Sequence, residues 1–256
     1  MNNQIQTGRI RLSKRLQMSA DYVRRGCAAA DVGCDHAYMA IYLVQNRIAG
    51  RVIAMDINEG PLSRARQNVI QYGLEERIEI RRSDGIRELR PGEADTLLCA
   101  GMGGRLMIRI LSEGREAADA AEEWILQPQS ELLQVRRYIR ESGYRIADES
   151  MCVEEGKYYT SLHAVKQDGS FREPREDRLG DQFGRPLLDR RDPVLRQFLL
   201  KEEAAAAKIR SGLSGQTKGG AEALARMEEK LADIREALAM WKDWEDVNGR
   251  QNSCDS

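Results

Sequence analysis

Four carboxylates and a series of glycines stand at the ends of short apolar runs in this chain, where side chains meet ligands more readily than core. The first group, Asp31-Val-Gly33-Cys-Asp35-His36-Ala-Tyr38, follows the small apolar run Ala28-Ala-Ala. An acid and a glycine at such a strand-to-helix corner let backbone approach a nucleotide-like cofactor closely. The second group is Asp56, ending Arg51-Val-Ile-Ala-Met and followed by Ile57, at the spacing where a carboxylate meets ribose hydroxyls. The third, Ser83-Asp84-Gly85, sets an acid beside a turn glycine and can accept an adenine amino group. The fourth, Ala100-Gly101-Met102-Gly103-Gly104, is a glycine-rich turn without a polar side chain. Taken singly, each has a plainer reading: Asp-x-Gly ends many strands, Asp56 suits a solvated strand end, and Asp84 can shape a turn. Together they occupy the carboxyl ends of successive strands, where open sheets bind ligands.

Asp31-x-Gly33 resembles the opening motif of class I S-adenosylmethionine methyltransferases. That motif usually carries a second glycine where Asp35 stands and often a third where Ala37 stands. A carboxylate inside a cofactor loop is costly unless it has a task, which singles out Asp35. The chain lacks a Gly-x-Gly-x-x-Gly fingerprint, so S-adenosylmethionine is the expected cofactor and a nicotinamide-dependent oxidoreductase is disfavoured.

The elements that must position these groups alternate. Strands are expected over 28–32, 51–56, 77–80, 94–100 and 123–129, with helices between them, including 37–44, 61–72 and 105–111. Residues 144–153 and 158–165, joined by Glu154-Glu-Gly-Lys157, read as a closing antiparallel hairpin. The expected fold is α/β: a Rossmann-like class I methyltransferase sheet closed by that hairpin, filling residues 1–166 together with a basic N-terminal helical arm. Residues 167–192, rich in Arg, Asp, Gly and Pro, read as a connecting segment. An antiparallel coiled-coil hairpin is expected over 193–246, with a disordered tail over 247–256. Its second helix carries a seam of Leu224, Met227, Leu231, Ile234, Leu238 and Trp241; Leu195, Leu199, Ala206, Ile209 and Leu213 form the looser partner face.

Composition narrows the class. Forty basic and forty-one acidic residues leave the chain near neutral, so a nucleic-acid partner does not follow from net charge. Five cysteines without a Cys-x-x-Cys pair argue against a disulfide framework and a zinc site, and for a reducing cytosol. With no secretory signal or long apolar run, the chain reads as a cytoplasmic monomer with no metal and no membrane partner.

The end of the fourth strand limits the chemistry. Amine-methylating enzymes commonly carry Asn/Asp-Pro-Pro-aromatic there, which this chain lacks. Cytosine carbon-5 enzymes need a nucleophilic cysteine, whereas Cys99 sits inside an apolar strand and reads as core. Both absences leave a ring nitrogen, whose lone pair can attack a sulfonium methyl directly. The set Ser13-Lys-Arg-Leu16, Asp31 to Tyr38, Ala100 to Gly104 and Gln127-Pro128 resembles the bacterial tRNA (adenine-22-N1)-methyltransferases over nearly the whole chain. The resemblance implies methyl transfer to N1 of adenine 22 in tRNA. Cations at Arg9, Arg11, Lys14 and Arg15 then read as phosphate contacts, extended by Arg105 and Arg109, although a basic helix face is as often merely solvated. Tyr38, Met102 and Gly103 are candidates to meet an extruded adenine, as are Tyr158 and Tyr159, whose plainer reading is sheet packing. Asp35 is the expected catalytic carboxylate, with His36 to orient it or to touch phosphate; capping of the following helix is the structural alternative for Asp35. The rival functions are a non-catalytic RNA-binding module and a methyltransferase of another RNA or small-molecule substrate.

Overall fold

The computed structural model describes residues 8–167, 177–212 and 218–252. The chain divides into two compact units, Met1–Glu176 and Asp177–Ser256.

The first unit is built on a seven-stranded sheet in the order β3-β2-β1-β4-β5-β7-β6. The strands are β1 (Ala28–Val32), β2 (Arg51–Asp56), β3 (Ile78–Arg82), β4 (Thr96–Met102), β5 (Glu123–Pro128), β6 (Tyr144–Glu154) and β7 (Lys157–Lys166). β1 to β5 run parallel, and β7 joins β5 antiparallel. Parallel strands covered on both faces read as continuous apolar runs, which is why β1, β2 and β4 are legible in the sequence. The helices are α1 (Lys14–Ala20), α2 (Tyr38–Gln45), α3 (Glu59–Gln71), α4 (Gly104–Glu113), α5 (Arg115–Ala120) and α6 (Leu132–Glu141). Alternating residues of β1, β2, β4 and β5 feed two cores. Met107, Ile110 and Leu111 of α4 pack with Ala30, Val32, Ile53, Met55 and Leu97 on one face. On the other, Met39, Ala40 and Ile41 of α2 pack with Ala29, Val52, Ala54 and Leu98. The hairpin register pairs Glu154 with Lys157, leaving Glu155 and Gly156 as a two-residue turn. Both have positive φ, 50° and 74°, which suits the right-handed twist of the strands.

β5 is buried throughout, although it carries Glu123 and Gln127. Buried polar groups need partners. Glu123 Oε1 accepts from Thr96 Oγ1 at 2.6 Å, and its Oε2 lies 2.8 Å from His163 Nε2. Burial works against that carboxylate, but the bonds from His163 and Thr96 prevail and hold its pKa below the usual value. Gln127 donates to the Arg15 carbonyl at 2.6 Å and to Ser19 Oγ at 2.9 Å, and accepts from Arg15 Nη1 at 3.2 Å. This amide therefore pins α1 to the carboxyl end of β5.

In the second unit, helices α7 (Arg178–Phe183) and α8 (Arg185–Asp189) occupy the stretch expected as connecting chain. Asp177 explains part of this: its side chain accepts from the Gly180 amide as an N-cap and pairs with Arg185 across α7. α9 (Pro193–Gly212) and α10 (Lys218–Asn252) follow. Arg191 meets the Met240 carbonyl, while Glu202 pairs with Lys230, so the two helices run antiparallel. Leu195, Leu199 and Ala206 are buried on α9, and Leu231, Ile234 and Trp241 on α10. Ile209, expected on the α9 seam, is 53 % exposed. Leu213 and residues 253–256 of the expected tail lie outside the described residues. α10 continues to Asn252, well past Trp244, since no proline interrupts it.

Candidate active site

The carboxyl ends of β1, β2 and β4 and the turn after β3 open onto one cleft of about 480 Å³. It lies at the point where strand order reverses, between β1 and β4, which is where open α/β sheets bind ligands. Its volume suits a nucleotide-sized molecule. Asp31, Gly33, Asp35, His36, Tyr38, Asp56, Ile57, Asp84, Gly85, Gly101, Met102, Arg15 and Arg109 all line it.

The turn after β1 is fixed by two bonds, from the Gly33 and Cys34 amides to the Met55 carbonyl, at 2.8 and 2.9 Å. Gly33 has φ +72°, and a Cβ there would stand 2.2 Å from Met102 Cε. Asp35 and Ala37 have φ of +46° and +60°. The two positions where glycines are usual thus keep a glycine-like backbone without glycine. Aspartate visits this region more readily than most residues; alanine carries a strain that such sites often hold. The N-cap of α2 is Ala37, with no side-chain cap bond, so Asp35 does not cap the helix. Its side chain is 73 % exposed, and His36 Nε2 lies 3.4 Å from its Oδ1. The His36 ring is tilted against Tyr38, with centroids 5.7 Å apart.

Asp31 is buried, and its Oδ2 has no hydrogen-bond partner. Burial lifts its pKa to about 7; the Ala40 amide opposes this, and the Asp56 charge adds to it. Asp56 Oδ1 accepts from the Asn58 amide at 2.8 Å, turning the chain into α3. Asp84 is held between Arg109 Nη2 at 3.4 Å and Arg87 Nη1 at 3.5 Å. Gly101, with φ +79°, lies at the bulge of β4; a Cβ there would be 3.4 Å from Arg15 Nη1. Cys99 is fully buried, and burial pushes its thiol up to about 12, so it is core and no nucleophile.

The expected cations are placed differently from one another. Arg9, Arg11 and Lys14 are exposed and outside the cleft lining. Arg15 lines the cleft but is engaged: besides Gln127, it lies 3.6 Å from Glu154 and over the Tyr159 ring at 5.5 Å. Arg105 is 86 % exposed beside Glu131, and Gly103 caps α4; neither lines the cleft. Gly104 is the tighter glycine of that turn, because a Cβ would meet the Ser130 carbonyl at 2.5 Å. Asn58 and Leu106 line the cleft and were not expected there. Their signals were available: Asn58 follows Asp56 by two residues, and Leu106 is an apolar residue off the buried stripe of α4.

The sheet order and the cleft define a class I methyltransferase domain, and the methyltransferase domain family matches residues 12–162. A tRNA (adenine(22)-N(1))-methyltransferase from Bacillus subtilis is 39 % identical over 159 residues, 62 % of this chain and 67 % of that protein. The crystal structure of the B. subtilis m1A22 tRNA methyltransferase superposes with a TM-score of 0.80 at 30 % identity, covering 90 % of this chain and 99 % of that one. A Streptococcus pneumoniae protein solved in complex with S-adenosyl-L-methionine gives 0.78 at 32 % identity, covering 89 % and 100 %. The chain belongs to the family of tRNA (adenine(22)-N(1))-methyltransferases.

Proposed function

We propose that this protein transfers a methyl group from S-adenosyl-L-methionine to N1 of adenine 22 in tRNA, as a cytoplasmic monomer. The carrying observation is the row of Asp31, Asp56 and Asp84 along one cleft, in a chain 39 % identical to the B. subtilis enzyme. Among the described residues no helix is long and apolar enough to cross a membrane.

The residues fit the cofactor. The unpartnered Asp31 oxygen is an acceptor in want of a donor, and an ammonium group at that end of the cleft supplies one. Asp56 is placed to accept from ribose hydroxyls, with Ile57, 49 % exposed, beside it to cover an adenine face. Asp84 and Gly85 form the far edge, where the carboxylate can accept an adenine amine. Gly33 and Gly101 keep the walls low enough for close approach. Bound S-adenosylmethionine supplies an electrophilic methyl group on a sulfonium centre.

The chain's own contribution to transfer is alignment and charge. Adenine N1 carries no proton, so no general base is required, and positioning supplies much of the barrier reduction. The base becomes cationic as it is methylated. Asp35, at the β1 edge of the cleft, accepts from its N6 amine and stabilises the developing charge. His36 orients that carboxylate. Tyr38 and Met102 pack against the base, while Arg9, Arg11, Lys14, Arg105 and Arg109 meet phosphates. Arg15 holds α1 in place through Gln127 and Glu154 as it borders the cleft. The test is transfer of labelled methyl to unmodified tRNA, paired with the same tRNA carrying guanine at position 22. Incorporation into the first and none into the second is expected; equal incorporation would sink the assignment.

A further inference from the structure

We propose that Leu106 and Tyr38 form a two-sided apolar jaw that packs the opposite faces of the target adenine and so aligns its N1, an inference that rests on the methyl-transfer reading above. α4 buries Gly104, Met107, Ile110 and Leu111, the stripe expected at helical spacing. Leu106 stands off that stripe, is 39 % exposed and lines the cleft. A single exposed leucine means little on its own. The concentration is what matters: among the described residues, three of the six large exposed hydrophobic side chains, Tyr38, Ile57 and Leu106, line this one cleft.

Ile57 belongs with Asp56 at the end of β2, on the cofactor side. Tyr38 and Leu106 stand in the first turns of α2 and α4, which follow β1 and β4 and pack on opposite faces of the sheet. β1 and β4 are the neighbours at which strand order reverses, so the two side chains bracket the crevice from its two sides. A purine has two apolar faces and a polar rim. The lining holds groups that match it: the aromatic ring of Tyr38, the aliphatic side chain of Leu106, and the polar pair Asp35 and His36. A base taken out of its stack loses face-to-face contact, and apolar walls restore it.

The measurement is single-turnover methylation at saturating tRNA and cofactor, with wild type, Leu106→Ser and Leu106→Met compared. Because Leu106 is outside the core, the serine variant should keep its melting temperature and its calorimetric affinity for S-adenosylmethionine. Its methylation rate should fall about tenfold, and methionine should restore it to within about twofold of wild type. A serine variant at the wild-type rate, a methionine variant as slow as serine, or a loss confined to cofactor affinity would each overturn the jaw. Wild type that left adenine 22 unmethylated would overturn the functional reading and the jaw together, so the two failures are distinguishable.

Discussion

Replacing Asp35 with asparagine is expected to cut turnover by at least about tenfold while both ligands still bind. The substitution isolates charge from structure. Asparagine shares aspartate's tolerance of the left-handed region, so the +46° backbone at this position is retained. Nor is a cap lost, because the N-cap of α2 is Ala37 and no side chain caps the helix. The carboxylate is 73 % exposed, so the fold gives up little, within about 0.5 kcal/mol. What asparagine cannot supply is a negative charge beside a base that is becoming a cation. That charge faces water in the free protein and gains force only when RNA covers it, which is why the deficit should appear in turnover and not in affinity. Single-turnover rates with saturating tRNA read this directly. A near-wild-type rate would remove Asp35 from the chemistry.

Replacing Gly33 with valine is expected to abolish measurable S-adenosylmethionine binding. Two costs combine there. The backbone has φ +72°, where a β-branched residue is strained by about 1–3 kcal/mol. In addition, the new Cβ would stand 2.2 Å from Met102 Cε. A methionine tip can move, but Met102 lines the same cleft, so displacement of either residue changes the cofactor's space. Gly92→Val is the matched control: Gly92 has φ +80°, and nothing lies within 4 Å of its Cβ position. The control should share the backbone strain and keep full cofactor affinity. Calorimetric titration of the two variants, with melting temperatures alongside, separates the effects; full affinity in a folded Gly33→Val protein would contradict the placement.

The parallel strands and the closing hairpin were legible because they are short apolar or alternating runs between turn residues. Asp-x-Gly alone ends many strands, and the corner at Asp31 was legible because Asp56, Asp84 and the glycines after Ala100 stand at the ends of the other strands. Other features depend on contacts between distant parts of the chain. Arg15 reads as a free cation in sequence, yet its partner Gln127 is 112 residues away. α7 and α8 lie in a stretch dense in Arg and Asp, where helix formation draws on the Asp177 cap and its Arg185 pair, and no amphipathic pattern announces them. Ile209 continues the heptad spacing of α9 but is exposed, because periodicity gives a face and not its covering. The conformations of Asp35 and Ala37 were hidden for a different reason: alanine gives no signal of positive φ and aspartate only a weak one, so only the departure from the expected glycines marked the site.

Methyl transfer to N1 of adenine 22 is tested by incubating the protein with labelled S-adenosylmethionine and unmodified bacterial tRNA, digesting the product, and mapping the modified nucleoside. The expected product is 1-methyladenosine at position 22, with label nowhere else. Label on N6 of that adenine, on another nucleotide, or on no RNA at all would contradict it.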